Sequence, residues 1–400
     1  MKSFASCLLA TFCFFSHLSF AAEESSLVEY SGFGRLVAGK VLTDDAELER
    51  YGQGVSIGEH SLFGLQLDSQ ITNNLSATAQ LLAHSNKNRS ELGWLYLNYQ
   101  TGDSWQFKFG KLHTPFFHYS DVLDVGYAYH WVSPPDELYS SYFFRQYEGA
   151  QAEYEWLGEH FTLGVQAFLG RVDQNIQVNQ SVYRAQSDVY KGLVLNLSFV
   201  DFTVRVSQTK GDYRIVENEL TPLIQGFHSA GQINPLFTEI ADQLTIDGDI
   251  KFSQISLHYP MLAYFFQAEF IKVEHDIESL SLLQAFYLTA GKYIGDYTLH
   301  LTYSHRDAHY LSGLQPLSIN TGMLELDNAI EQYNVFLATR PDADAKSLTI
   351  GVRYDVAPQM ALKLDLRNTW GQPFIGLPSA EQLTFDRSAL LVLGGVEWVF

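Results

Sequence analysis

The sequence predicts an all-β protein: a transmembrane antiparallel β-barrel of about 16 strands, with short turns at one end and long loops at the other. Three observations carry this. Apolar and polar side chains alternate in segments of roughly ten residues, the length at which a tilted strand crosses a bilayer. No apolar stretch beyond residue 21 approaches the roughly 18 residues that a membrane helix needs. The connections between the alternating segments are short and long by turns. In lipid only helices and closed barrels satisfy every backbone group, so strands that cross must close on themselves.

The first residues read as an export signal. Lys2 supplies a positive start, and residues 8–20 form a mostly apolar run too short to span a bilayer. Ser19-Phe20-Ala21 places small residues at the two positions read by signal peptidase, so cleavage is expected after Ala21, with Ala22 second. Phe12 before Cys13 argues against a lipoprotein signal. Residues 22–400 are then the barrel. Both cysteines, Cys7 and Cys13, lie in the leader, which leaves no disulfide framework, thiolate metal site or cysteine nucleophile.

The alternation is clear in two segments. Phe161, Leu163, Val165, Ala167 and Leu169 share one face, with Thr162, Gly164, Gln166 and Gly170 on the other. Leu348, Ile350, Val352, Tyr354 and Val356 are expected outward, and Thr349, Gly351, Arg353 and Asp355 inward. Short connections centre on 72–74, 101–104, 157–160, 200–201, 259–262, 293–296 and 357–360, where Asn, Gly, Asp and Pro favour turns. Between them lie connections that are nearly all longer, at 43–59, 85–90, 113–145, 171–188, 211–250, 275–281, 308–345 and 371–387. Such sorting places the short turns in the periplasm and the long loops outside the cell. It requires an even strand count.

Charge narrows the partners. Lys2 is one of 25 basic residues, so the mature chain keeps 24 against 45 acidic ones, a net of −21. That sign argues against nucleic acid. With 23 Tyr and 28 Phe the chain is too aromatic for acid-driven disorder, and it suits membrane-facing strands with interfacial girdles. Trp105, Trp156, Phe161, Phe202, Tyr259, Tyr297 and Trp398 fall at the expected periplasmic ends.

The chain ends on Leu390-Leu391-Val392-Leu393-Gly394-Gly395-Val396-Glu397-Trp398-Val399-Phe400, whose alternate set is apolar. This terminus resembles the C-terminal strand of Gram-negative outer-membrane proteins. The resemblance implies that Phe400 is the assembly signal read by the barrel-assembly machinery. Gly32-Phe33-Gly34-Arg35-Leu36-Val37-Ala38-Gly39 resembles the first strand of many porins. Gly110-Lys111-Leu112-His113-Thr114-Pro115-Phe116-Phe117, continuing through Asp121-Val122-Leu123-Asp124-Val125-Gly126-Tyr127, resembles a porin-like family of marine gammaproteobacteria. The chain lacks the Pro-Glu-Phe-Gly-Gly motif of enteric general porins. The resemblance implies a porin in the outer membrane, with a homotrimer among its assemblies. It also implies that the segment 113–145, at the position of the third extracellular loop, folds inward and narrows the pore.

That segment carries Tyr119, Tyr127, Tyr129, Trp131 and Pro134-Pro135, too apolar and stiff for a solvated loop. Its acids are Asp121, Asp124, Asp136 and Glu137. Lys108, Arg205, Arg353, Lys363 and Arg367 fall on polar strand faces and are the candidate pore-lining bases. Acids on the loop facing bases on the wall would set a transverse field across the constriction, which orders water and disfavours apolar solutes. The alternative is mixed pairing within the wall, with Asp355 and Asp365 neutralising Arg353 and Lys363. Acids at Asp44, Asp45, Glu47, Glu49, Glu217, Glu219, Glu239, Asp242, Asp247, Asp249, Asp342 and Asp344 read as solvated loops, or as attraction for cations and lipopolysaccharide.

No nucleophile elbow, phosphate loop or dinucleotide fingerprint occurs, and the histidines show no metal spacing. No catalytic residue, cofactor or metal is therefore expected. The reading is a non-enzymatic, water-filled channel for passive diffusion of small polar solutes and ions, weakly cation-preferring and set in outer-membrane lipid. Two other readings stay open: an outer-membrane lipid hydrolase, which needs a Ser-His pair near the outer rim, and a closed adhesion or structural barrel.

Overall fold

A computed structural model of the chain describes residues 28–85, 89–141, 144–178, 181–216, 218–340, 344–371 and 388–400. The expected leader, residues 1–21, and the connection 372–387 lie outside them. Sixteen strands follow one another: β1 Val28–Val41, β2 Leu62–Thr72, β3 Leu75–His84, β4 Arg89–Thr101, β5 Trp105–His113, β6 Gln146–Leu157, β7 Phe161–Val178 and β8 Ser181–Phe199. The second half is β9 Thr203–Ile215, β10 Asp247–Pro260, β11 Tyr264–His275, β12 Ser281–Ile294, β13 Tyr297–Tyr310, β14 Ala345–Ala357, β15 Met360–Gly371 and β16 Ala389–Val399.

Each strand pairs antiparallel with its sequence neighbours, and β16 returns to β1, so the sheet is a closed barrel without an edge. The seam runs from Phe33 opposite Val399 to Val41 opposite Leu391. Gly32 and Phe400 exchange both backbone hydrogen bonds, at 3.0 and 2.9 Å.

Period-two patterning sets which side meets lipid. Leu163, Val165 and Ala167 of β7 stand opposite Leu197, Leu195 and Leu193 of β8, an unbroken apolar outer patch. On the inner face, Thr162 stands opposite Ser198 and Gly164 opposite Asn196. A slip of one residue would exchange the faces, so the lipid itself fixes register. Trp105, Trp156 and Tyr297 are exposed near the short turns, as an interfacial girdle requires.

Three long connections depart from the sequence expectation. The segment 171–188 was expected as a loop, but over residues 171–178 and 181–188 β7 and β8 continue as a paired ribbon, with Val172 opposite Ser187 and Ile176 opposite Tyr183. Val172, Tyr183 and Ala185 are buried there, so apolar packing sustains the ladder beyond the membrane. The acidic connections near 217–249 and 308–345 hold helices: α2 Thr221–Ala230, α3 Pro235–Leu244 and, before β14, α4 Leu324–Thr339. (A four-residue helix, Asp136–Tyr139, precedes them in the chain and is α1.)

Apolar residues recur at helical spacing in these connections. Leu223, Phe227 and Ala230 share a face of α2, and Phe237, Ile240, Ala241 and Leu244 share one of α3. Leu326, Ile330 and Tyr333 do the same on α4. Pro235 starts α3, and the Asn234 side chain caps it by accepting from Leu236 N at 3.1 Å. The three faces meet in one small core outside the barrel, with Phe227 stacked on Phe237 at 5.6 Å.

A candidate pore and its interior loop

Residues 114–141, which leave β5, and 144–145, which enter β6, lie along the inward faces of the later strands. The contacts run from β9 through β15 to β1. Arg205 donates to Pro115 O and Phe116 O at 2.6 and 3.4 Å. Glu269 accepts from His118 N and Tyr139 Oη at 2.9 and 3.0 Å. Trp131 Nε1 donates to Thr302 Oγ1 at 2.8 Å, and Val132 N to Asp365 Oδ2 at 2.8 Å. Arg35 donates to Tyr129 Oη at 2.7 Å.

Aromatic packing supplies the rest of the attachment. Phe116 stacks on Phe252 at 4.2 Å, and Trp131 meets Tyr287 edge-on at 5.4 Å. Trp131 and Phe117 are almost wholly buried, at 0% and 1% exposure. Burying a side chain of this size contributes several kcal/mol, roughly 3–5 by the cost of truncating it to Ala. A short 3₁₀ turn, Gly126–Ala128, brings the loop backbone against β16, where a Cβ on Gly126 would collide with the Glu397 carboxylate.

Most of the candidate bases hold the loop itself rather than face its acids across an open lumen. Four of the five hold the loop's backbone. Lys363 Nζ donates to Gly126 O, Tyr129 O and Trp131 O at 2.7, 2.6 and 2.9 Å, and pairs with Glu397. Arg353 donates to Tyr127 O and Tyr129 O at 2.7 and 3.0 Å, and to Asp355 at 2.8 Å. Arg367 donates to Ser133 O at 2.7 Å and pairs with Glu49. Arg205 makes the contacts given above. Lys108 is the exception: it pairs with Glu153 on the neighbouring strand at 3.1 Å. The physical reason is the backbone. A loop inside a barrel has no strand partner for its carbonyls, and Lys and Arg are donors that need none in return.

The acids sort by depth. Asp121 is exposed to the interior space. Enclosure by the barrel raises its pKa, against the pull of Lys108 and Arg205. Asp124 is buried and takes Arg145 Nη2 at 2.8 Å. Burial alone would raise it, but Arg145 and His113 outweigh that and hold it well below the usual carboxylate range. Glu137 accepts from Ser304 Oγ at 2.7 Å and from Ser347 Oγ. Asp136 is pushed up to about 7 by burial and by Glu49, with Arg306 opposing. Glu49, expected among solvated mouth acids, is instead drawn in to Arg367 and to His60 at 3.3 Å. Sequence reasoning also missed Arg35, Glu269, Arg306 and Glu397, all buried and inward. Their signal was available: a charge in step with the polar face of a strand.

The opposite wall, on β2 to β4, is rich in amides and aromatics, with Asp68 among them and the Lys108–Glu153 pair beyond it on β5 and β6. Gln80 Nε2 donates to Gln66 Oε1 at 3.0 Å, and Gln66 Nε2 donates to Asp68 Oδ2 at 2.8 Å. Trp94 and Tyr96 lie beside them, 5.4 Å apart and edge-on. Between this wall and Asp121, Val122 and Val125 of the loop lies a cavity of about 350 Å³.

A closed ring of 16 antiparallel strands with one loop laid along its interior is the porin fold, a barrel large enough to enclose an aqueous lumen. Solved structures agree. OmpF of Salmonella typhi, in complex with daunomycin, is similar at 12% identity and TM-score 0.57, covering 93% of this chain and 97% of its own. An OmpT of Vibrio cholerae lacking loop L8 is similar at 13% and 0.55, covering 93% and 99%. An anion-selective porin from Comamonas acidovorans is similar at 13% and 0.53, with the same coverage. No family model and no curated protein matches the sequence.

Proposed function

We propose that this chain is an outer-membrane porin: a passive, non-enzymatic channel for small polar solutes and ions, with a weak preference for cations. The observation that carries the reading is the asymmetry of the interior. Loop 114–145 is fastened to one wall, and the amide-rich wall opposite is left facing the cavity beside Asp121. Amides donate and accept without carrying charge, so they can replace the hydrogen bonds of many polar solutes. The reading includes export by the cleaved leader, embedding in lipid and lipopolysaccharide, and insertion by the barrel-assembly machinery through Phe400. We extend to it the homotrimer, since a trimer form is described for Vibrio cholerae OmpT. Single-channel recording in planar bilayers tests it: discrete conductance steps are expected, and a silent, folded barrel would refute it. Silence would favour the closed barrel, for which the aromatic packing around Trp131 speaks.

Selectivity should depend on Asp121 more than on the rim. A charge in a narrow, poorly screened space acts more strongly than one at an open mouth. Asp121→Asn should shift the reversal potential in a salt gradient toward zero, and Asp45→Asn should shift it less. Both effects should vanish near 1 M salt, where the Debye length is about 3 Å. An Asp121→Asn channel with the parent's potential at low salt would remove Asp121 from the constriction.

The anchor at α1 should respond to pH. Asp136 has a raised pKa in the docked loop, so docking is fully favoured below its free pKa and weakens as pH rises from about 4 to about 7. Current noise should rise over that window and then level off. Asp136→Asn should abolish the rise; noise that still climbs in that variant would locate the titration elsewhere.

A further inference from the structure

We propose that the outward face of β8 to β11 is a binding site for the phosphate groups of a glycolipid in the outer leaflet. The proposal rests on the outer-membrane placement given above and is independent of conduction. Lys191 stands directly opposite Lys210, and Lys210 directly opposite Lys251. Opposed residues of this kind sit about 5 Å apart, and like charges there destabilise a sheet. Here two such pairs stand side by side in a chain of net charge −20. An external polyanion reverses the sign of that interaction.

The row lies at the height where lipid phosphates are found. On β8 the outward residues below Lys191 are Leu193, Leu195, Leu197 and Phe199, of which Leu193, Leu195 and Phe199 are exposed and Leu197 is half-buried. Below Lys251 on β10 come Ser253, Ile255 and Leu257. Lys191 and Lys210 each stand roughly nine residues from the turn that joins β8 to β9. At a tilt near 45° this lifts them on the order of 20 Å, close to the top of an apolar band about 25 Å tall. Long lysine stems reach from such positions to the headgroups.

The nearby acids leave Lys191 and Lys210 open, while Lys251 already pairs with Glu274. Glu274, opposite Lys251, is held by Lys251 and Lys272 at 3.3 and 2.7 Å. Asp212, two residues beyond Lys210, is turned to the β8 backbone and accepts from Asp188 N and Val189 N at 2.9 and 2.8 Å. Among the described residues, neither Lys191 nor Lys210 has a carboxylate within ion-pair distance. Three adjacent ammonium groups suit a headgroup with two phosphates better than a single anion.

The test uses the purified full-length barrel in neutral detergent. Its probes are a bisphosphorylated lipopolysaccharide lipid and the same lipid after dephosphorylation. The parent should prefer the phosphorylated form. With about fivefold per lysine near a charged membrane surface, a K191Q/K210Q/K251Q variant should bind it on the order of 100-fold more weakly. K40Q/K111Q, at outward lysines with no lysine opposite, should match the parent. In the absence of lipid the triple variant should melt no lower than the parent, because repulsion has been removed. Should it fail to fold, the central K210Q alone carries the test, with about a fivefold loss expected. Parent-like binding by the variant, or equal binding of the dephosphorylated lipid, would overturn the proposal. A parent that binds the phosphorylated lipid yet passes no current leaves this site standing and removes the channel.

Discussion

Replacing Lys363 with methionine should loosen the interior loop over residues 126–131 and make the channel noisier and wider. Lys363 is 4% exposed, and its ammonium is shared among three loop carbonyls and Glu397. The substitution leaves Glu397 buried without its cation and three carbonyls short of a donor. Breaking a buried pair by removing one partner costs about 3–5 kcal/mol, because a charge is left uncompensated. Arg353 still holds Tyr127 O and Tyr129 O, and Phe116 still stacks on Phe252, so the change should remain local. Adding Glu397→Gln should restore part of the parent's behaviour, since the stranded charge is then gone. Single-channel traces of the two variants decide the matter. An unchanged conductance and noise level in Lys363→Met would show that this anchor does not hold the pore's width.

Deleting Phe400 should leave export intact and sharply reduce the amount of folded barrel in the outer membrane. Two terms act together. The residue closes the seam through both of its backbone bonds to Gly32, and its ring stacks on Phe63 at 6.0 Å. It is also the terminal aromatic that the assembly machinery is expected to read. Refolding in detergent separates them: a truncated chain that refolds like the parent but fails in cells has lost the signal, not the seam. Phe400→Tyr should recover most of the level. Normal outer-membrane levels of the truncated chain would refute both roles.

The barrel was legible in the sequence because lipid enforces a strict rule on every second residue. The outward sets of β7 and β14 were readable without any structure, and so was the closing strand at residues 389–399. The interior obeys no such rule. Arg353, Lys363 and Arg367 stand in step with the polar faces of their strands, yet their partners were not legible. Those partners are backbone carbonyls, which every sequence has and no sequence marks. Glu49 was misplaced for a related reason: an acid in a long loop looks solvated until the loop's path brings it to Arg367. The helices outside the barrel were legible but overshadowed. Leu223, Phe227 and Ala230 carry a helical period, while the acids around them drew attention to solvation.

Those helices have a consequence for how the cell surface is seen by antibodies. The core uniting α2, α3 and α4 draws from two loops about 80 residues apart in the chain, and Phe227 touches both Phe237 and Tyr333. An epitope on this cap is therefore discontinuous. Peptides copied from either loop alone should compete poorly with the intact protein for an antibody raised against it. Shortening either loop should erase recognition of the other.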